Sequence, residues 1–170
     1  MHVPSSVLLK SDSGAVALLP EEDLGDGIVT LLWNRPHKRN ALSAELYKAA
    51  TDALSRHSLS DTTRVVVFAG QGPAFCAGMD IQDALQSPRH MEAARRFMES
   101  LASFPKIVIA AIHGSCIGIG TTMLLHCDYV FANHETTLAT PFRALGIPPE
   151  FGSSFTFPHY LGLGLTARML

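Results

Sequence analysis

Hydrophobic residues along the chain form continuous runs and spaced repeats, and the two patterns predict different elements. Three runs are rich in Val, Ile and Leu with few polar interruptions, which is typical of strands buried on both faces of a sheet. They cover residues 27–33 (GIVTLLW), 64–69 (RVVVFA) and 106–112 (KIVIAAI), and a shorter strand is predicted at 128–131.

Between these strands, apolar residues recur at helical spacing. One helix is predicted after Ser43, an N-cap candidate, with an apolar face of Leu46, Ala49, Ala50, Ala53 and Leu54. A second covers about 89–103, with an apolar face of Met91, Ala94, Phe97, Met98 and Leu101. Shorter helices are predicted near 121–126 and from Thr166. Alternating strands and helices predict an α/β fold with a largely parallel sheet.

Composition indicates one domain with a substantial core. The chain has 170 residues, of which 47% are hydrophobic, and we expect a core domain over 15–170 after a loose, Ser-rich leader at 1–14. Charged residues make up only 16%, so the chain either buries much of its surface or presents some to partner subunits. The net charge is −2 without a basic run, which gives no indication of nucleic-acid or anionic-membrane binding.

Cysteine and histidine usage argues against disulfides and metal. The three cysteines are expected to be reduced, buried thiols of an intracellular protein, and no two histidines have metal-binding H-x-x-x-H spacing. The apolar run at 107–112 is too short to cross a bilayer, and no signal peptide is visible. Residues 168–170 (RML) differ from the peroxisomal tripeptide Ser-Lys-Leu. A peroxisomal or cytoplasmic location is expected.

Two buried strands lead into glycine loops, A-G-M-D at 77–80 and G-I-G at 118–120. Glycine lets a ligand approach the peptide N–H groups closely, and two such loops can aim two N–H donors at one oxygen, forming an oxyanion hole. Spacing alone also fits ordinary turns. The pattern at 114–120 is not G-x-G-x-x-G, and no acid stands about 20 residues further on, which argues against a dinucleotide site.

Several motifs together resemble the crotonase family of enoyl-CoA hydratases and isomerases, from about Gly27 to the end. These are N-R-P-x-x-x-N-A-L (34–42), F-C-A-G-M-D (75–80), P-K-I-V-I-A-A-I-H-G (105–114), I-G-I-G (117–120) and C-D (127–128). The resemblance implies a crotonase spiral of β-β-α turns, truncated before a helical C-terminal part that supports homotrimers in the family. It also implies an acyl-CoA thioester as substrate, and no cofactor beyond the coenzyme A that the substrate carries.

The resemblance assigns the thioester oxygen to the amides of Met79 and Ile119. The other implied substrate-binding residues are Ala77, Gly78, Asp80, Ile81, Gly118 and Phe142, with Lys38 and Arg39 near the coenzyme A phosphates. A solvated pair of loop charges explains Lys38 and Arg39 equally well. Asp80 is expected to brace its loop through hydrogen bonds to the backbone.

Family hydratases use two glutamates, and the aligned residues here are Thr122 and Phe142. Neither can activate water or deliver a proton at neutral pH, which disfavours the two-glutamate mechanism. Residues 140–158 resemble the peroxisomal type of Δ3,Δ2-enoyl-CoA isomerase, whose single catalytic base corresponds to Glu150. Phe151 stands where that type has glycine, and Gly152 follows.

Glu150 is the last acidic residue of the chain and stands in an apolar stretch. We expect Ile147, Pro148, Pro149 and Phe151 to exclude water from its carboxylate and to raise its pKa. The alternative is an exposed glutamate that offsets a helix dipole. The sequence hypothesis is therefore a one-glutamate enoyl-CoA isomerase. A hydratase with another acid pair, and an inactive acyl-CoA-binding or subunit-interaction protein, are the alternatives.

Overall fold

The computed structural model describes residue 19 and residues 21–170, so the predicted leader at 1–14 lies outside the described residues. The strands are β1 (Glu21–Asp23), β2 (Ile28–Trp33), β3 (Val65–Gly70), β4 (Ile107–Ile112), β5 (Ser115–Ile117), β6 (Tyr129–Ala132) and β7 (Thr137–Ala139). The α-helices are α1 (Ala44–Leu59), α2 (Ile81–Gln86), α3 (His90–Ala102), α4 (Ile119–Thr122), α5 (Phe142–Leu145) and α6 (Ser153–Met169). Short 3-10 turns lie at Pro36–Lys38 and Met123–His126.

The larger sheet has the strand order β1-β2-β3-β4-β6, and every pairing is parallel except β1 with β2. Val66 pairs with Val29 on one side and with Val108 on the other, which places three valines side by side. Helices connect these parallel strands, as parallel pairing requires. The α/β class with largely parallel pairing is therefore as predicted.

Helices α1 and α3 pack on each other and close the core over an aromatic cluster. The ring of Trp33 stacks on Phe68 with centroids 5.1 Å apart, and Phe97 of α3 meets Trp33 edge-on at 6.1 Å. Tyr47 of α1 completes the cluster, with its ring centroid 5.7 Å from that of Phe97. All four side chains are at most 2% exposed, so the two helices are fixed on the sheet by buried ring contacts.

Two details of the helix prediction are wrong. Met91 is 64% exposed, because α3 begins at His90 and buries the face formed by His90, Ala94, Phe97 and Leu101. The last helix begins at Ser153 and not at Thr166. Pro158 and Gly162 obscured it in the sequence, and the non-helical backbone of Gly162 (φ 72°) kinks it there.

A second, two-stranded sheet pairs β5 with β7 in parallel and carries α4 at its end. Its strands have three residues each, too few for a periodic pattern to be visible in the sequence. Cys76, which follows β3, forms an isolated parallel bridge to Cys116 of β5. The segment that leaves β3 therefore lies directly beside the small sheet.

Asn40 fastens the turn between β2 and α1. It is fully buried with a left-handed backbone (φ 58°) that asparagine tolerates better than most residues. Its Oδ1 accepts from the Arg35 amide at 2.8 Å, and its Nδ2 donates to the carbonyls of Gln71 and Ala74 at 2.9 and 2.8 Å. One side chain thus ties this turn to the loop after β3.

Replacing Asn40 by Asp tests this role. Asn40→Asp keeps the shape but turns a buried donor of two hydrogen bonds into an acceptor that faces two carbonyl oxygens. We expect the free energy of unfolding to fall by about 1–3 kcal/mol in urea denaturation. Asn133→Asp is the matched control, because the exposed Asn133 uses only its oxygen, and we expect a change within about 0.5 kcal/mol. Equal effects of the two variants would contradict this role of Asn40.

Candidate active site

The two glycine loops of the sequence lie against each other. The Ile117 amide donates to the Cys76 carbonyl at 2.9 Å, which joins the loop after β3 to the end of β5. Gly78 has φ +91°, and a Cβ atom there would lie 2.8 Å from the Ile117 carbonyl oxygen. Only glycine fits both the backbone angle and the space, so the approach of the loops depends on it.

The amides of Met79 and Ile119 belong to the two segments that meet at this contact. Leu42 bonds to the residues on either side of Met79: its amide donates to the Gly78 carbonyl, and its carbonyl accepts from the Asp80 amide. The Met79 N–H therefore faces away from Leu42. Ile119 opens α4, where a helical amide has no acceptor in its own helix. Within residues 21–170, neither amide donates a hydrogen bond to the protein.

Asp80 braces the first loop. Its Oδ1 accepts from the Asp83 amide and caps α2, and its Oδ2 accepts from Arg35 at 3.1 Å. Burial acts to raise the pKa of Asp80, but the Asp83 amide and the Arg35 guanidinium together hold that pKa below its ordinary value. The side chain is 9% exposed and charged, which suits bracing and not proton donation.

Lys38 and Arg39 lie beside the same loop, with both side chains exposed. The Arg39 carbonyl accepts from the Ala77 amide at 2.9 Å, and Lys38 Nζ donates to Gln82 of α2 at 2.9 Å. Ile81 follows Asp80 directly and is 51% exposed. The structure thus brings two cations to the outer side of residues 77–82, next to an exposed apolar residue.

The Glu150 side chain turns inward to α4. Thr122 Oγ1 donates a hydrogen bond to Glu150 Oε1. Thr122 stands three residues after Ile119, a rise of about 4.5 Å along a helix axis. The carboxylate is therefore hydrogen-bonded to the last residue of the short helix that Ile119 opens.

Burial raises the pKa of Glu150, and the hydrogen bond from Thr122 opposes part of that rise. The rise matches the expectation, but its assigned source is wrong in part: Ile147, Pro148 and Pro149 are exposed. Of the four apolar neighbours named from the sequence, Phe151 alone packs on the core. Burial is the main cause of the raised pKa values of Tyr47 and Cys76, and the negative charge of Glu150 adds a smaller rise to each.

The residue after Glu150 is held in an unusual conformation. Phe151 has a left-handed backbone (φ 52°), which is rare for a bulky residue. Its ring stacks on that of His126, with centroids 3.8 Å apart and planes 13° apart, and the Phe151 carbonyl is 2.9 Å from His126 Nε2. Sequence reasoning did not identify this contact between Phe151 and His126. That Phe151 follows Glu150 in the sequence does not indicate that its ring would stack on His126.

Two further candidate residues, Phe142 and Gly118, lie at or next to the first residue of a short helix. Phe142 begins α5 and is 3% exposed, and Gly118, next to Ile119, has φ 55°.

Burial raises the pKa of each of the three thiols to about 12, so none is a thiolate near neutral pH. Among the described residues, no group of three or more His, Cys, Asp or Glu side chains is arranged to hold a metal ion. No helix in 21–170 is both long and apolar enough to span a membrane.

Comparison with known proteins identifies the class of this fold and site. The profile of the enoyl-CoA hydratase/isomerase family matches residues 23–170, so the chain belongs to that family and has the crotonase fold. It is 36% identical to enoyl-CoA delta isomerase 2 of Rattus norvegicus over 152 residues, and 33% identical to peroxisomal enoyl-CoA delta isomerase 3 of Mus musculus over 153 residues. Each alignment covers 85% of this chain.

Among solved structures, OdaA of Pseudomonas aeruginosa superposes with a TM-score of 0.85 at 41% identity, covering 90% of this chain and 62% of that one. The chain spans 39% and 48% of the length of the two curated relatives.

The contact between the loops is tested at Gly78. Gly78→Ala would impose both a left-handed backbone on alanine and a clash with the Ile117 carbonyl. Gly25→Ala is the matched control: φ is +80°, but nothing lies within 4 Å of the added atom. We expect Gly25→Ala to lower the free energy of unfolding by roughly 1–2 kcal/mol, and Gly78→Ala by clearly more, in urea denaturation. Equal losses would show that space beside Gly78 is not limiting.

Proposed function

We propose that the protein is a Δ3,Δ2-enoyl-CoA isomerase, which moves the double bond of a 3-enoyl-CoA to the 2-position in fatty acid β-oxidation or related acyl-CoA metabolism. The observation that carries the proposal is the partly buried Glu150 carboxylate, which accepts a hydrogen bond from Thr122 of α4, the helix that Ile119 opens. The delta isomerase names of two relatives support the same activity. The peroxisome, named for the mouse relative, or the cytoplasm is the proposed location.

The first step is proton removal from C2 of the substrate by Glu150. The electron pair of the C2–H bond delocalises into a dienolate, whose negative charge spreads to the thioester oxygen. Hydrogen bonds from the Met79 and Ile119 amides stabilise that oxygen, and in other enzymes the loss of one such donor costs about 2.7–4 kcal/mol. Protonated Glu150 then returns the proton to C4, which leaves the double bond at C2–C3 without water or any cofactor.

The remaining contacts are assigned by position. Ala77, Gly78, Asp80, Ile81 and Gly118 would line the path of the acyl thioester. Phe142 would form a wall of the acyl pocket, and the exposed cations Lys38 and Arg39 would meet the phosphates of coenzyme A.

Hydration is less well supported than isomerisation. Hydration needs one group to activate water and another to protonate carbon. Thr122 and Phe142 occupy the two positions aligned with the hydratase glutamates, and the Thr122 hydroxyl is engaged with Glu150. One carboxylate that alternates between base and acid is enough for isomerisation.

Glu150→Gln tests the proposal directly. We expect the wild-type 170-residue protein to convert 3-enoyl-CoA to 2-enoyl-CoA, and Glu150→Gln to lower kcat roughly 10²–10⁴-fold, because the amide cannot take the proton. Glu135→Gln, at an exposed site, is the control and should keep the wild-type rate. Full activity of Glu150→Gln would exclude Glu150 as the base. Hydration of 2-enoyl-CoA without isomerisation, or acyl-CoA binding without turnover, would contradict the proposed function.

The same variant has a predicted effect on stability. Because burial raises the pKa of Glu150 in the folded state, its stabilising contribution is full below the unfolded-state pKa and is lost as pH rises through the folded-state pKa. Glutamine has no such loss. Glu150→Gln should therefore be more stable than wild type at neutral pH, with a difference that vanishes in acid, as measured by urea denaturation at several pH values. A difference independent of pH would contradict a raised pKa.

A further inference from the structure

We propose that Thr122 is a positioning residue that fixes the carboxylate of Glu150 through Oε1 and leaves Oε2 as the oxygen that exchanges the proton with substrate. The inference rests on the proposed function, and it assigns a role to a residue that lies where a family hydratase has a glutamate. Its consequence is that the hydroxyl orients the base and favours its charged form against the effect of burial.

The hydroxyl of Thr122 has a clear choice of partner. Threonine in a helix often donates to the carbonyl four residues earlier, which for Thr122 is that of Gly118. Here Oγ1 donates instead to Glu150 Oε1, although Thr122 is only 1% exposed. The neighbouring Thr121 is similarly buried, but its hydroxyl donates to the backbone carbonyls of Cys116 and Ala139. Two adjacent threonines therefore serve different partners.

The backbone of Glu150 is fixed at the same time. Both the amide and the hydroxyl of Ser153 donate to the Glu150 carbonyl, at 3.0 and 2.7 Å. The backbone carbonyl and the side-chain Oε1 of Glu150 are thus both held by hydrogen bonds. An isomerase base must reach C2 and C4 from one face, and a single oxygen held between them is suited to that exchange.

The groups around Glu150 leave Thr122 as the main hydrogen-bonding influence on its charge. Burial raises the pKa values of Tyr47 of α1 and Cys76 of the loop after β3, and the charge of Glu150 adds a smaller rise to each, so both are neutral near neutral pH. His126 contacts the Phe151 carbonyl and can be followed separately by its ring resonances. A hydrogen bond to the charged carboxylate opposes the effect of burial and keeps the base available.

The test uses three variants of the 170-residue protein and two readouts. Thr122→Val removes the hydroxyl at nearly constant shape, Thr122→Ser retains it, and Thr121→Val removes the neighbouring hydroxyl as the control. The first readout is the pH titration of the Glu150 carboxyl carbon by ¹³C NMR, assigned with Glu150→Gln. We expect Thr122→Val to raise the pKa of Glu150, and Thr122→Ser and Thr121→Val to leave it near the wild-type value.

The second readout is isomerisation of 3-enoyl-CoA. Thr122→Val should lower kcat roughly 10- to 100-fold with little change in KM, and should shift the rise of kcat to higher pH, whereas Thr122→Ser should restore both. An unchanged pKa in Thr122→Val, or no rescue by Thr122→Ser, would overturn the inference. If wild type lacks isomerase activity, the proposed function fails, and the NMR titration still decides whether Thr122 controls Glu150. If Thr122→Val does not fold, Thr122→Ala gives the same titration.

Discussion

The close approach of two backbone segments is the constraint on which the site depends. At Gly78 the loop after β3 meets the Ile117 carbonyl, and at Gly120 a Cβ atom would lie 2.6 Å from the Cys76 carbonyl oxygen. Each of the two segments therefore needs a glycine where the backbone of the other approaches it. Backbone atoms form the contact between the loop after β3 and the segment 117–120, so the large sheet and the small β5–β7 sheet can lie close together. The amides of Met79 and Ile119 have no acceptor within residues 21–170.

The Glu150 carboxylate is partly buried, and its charged form is stabilised by a hydrogen bond. Burial disfavours the ionised form, and a hydroxyl donor restores part of what water would supply. A fully solvated carboxylate would be a weaker base, and a buried one without a donor would hold its proton too tightly. Perturbed acids of this kind concentrate at functional sites, which agrees with the role proposed for Glu150.

The sequence was most informative where its signals were local or repeated. The runs at 27–33, 64–69 and 106–112 located β2, β3 and β4, since short, almost uninterrupted apolar runs are typical of strands that are covered on both faces. The three-residue strands β5 and β7 carried no such signal, and Pro158 with Gly162 hid the start of α6. Motifs located the amides and Glu150, but the hydrogen bond that holds the Glu150 side chain joins residues 28 positions apart in the chain.

The ring of Phe151, a residue with a left-handed backbone, stacks on that of His126, and this contact couples the two positions. A ring at 151 occupies a conformation that normally favours glycine, and it is retained there by the second ring and by a contact to its own carbonyl. A substitution at either position therefore removes a contact that the other residue makes. Without an aromatic ring at 126, Phe151 loses its stacking partner, and with glycine at 151, His126 loses the ring on which it stacks.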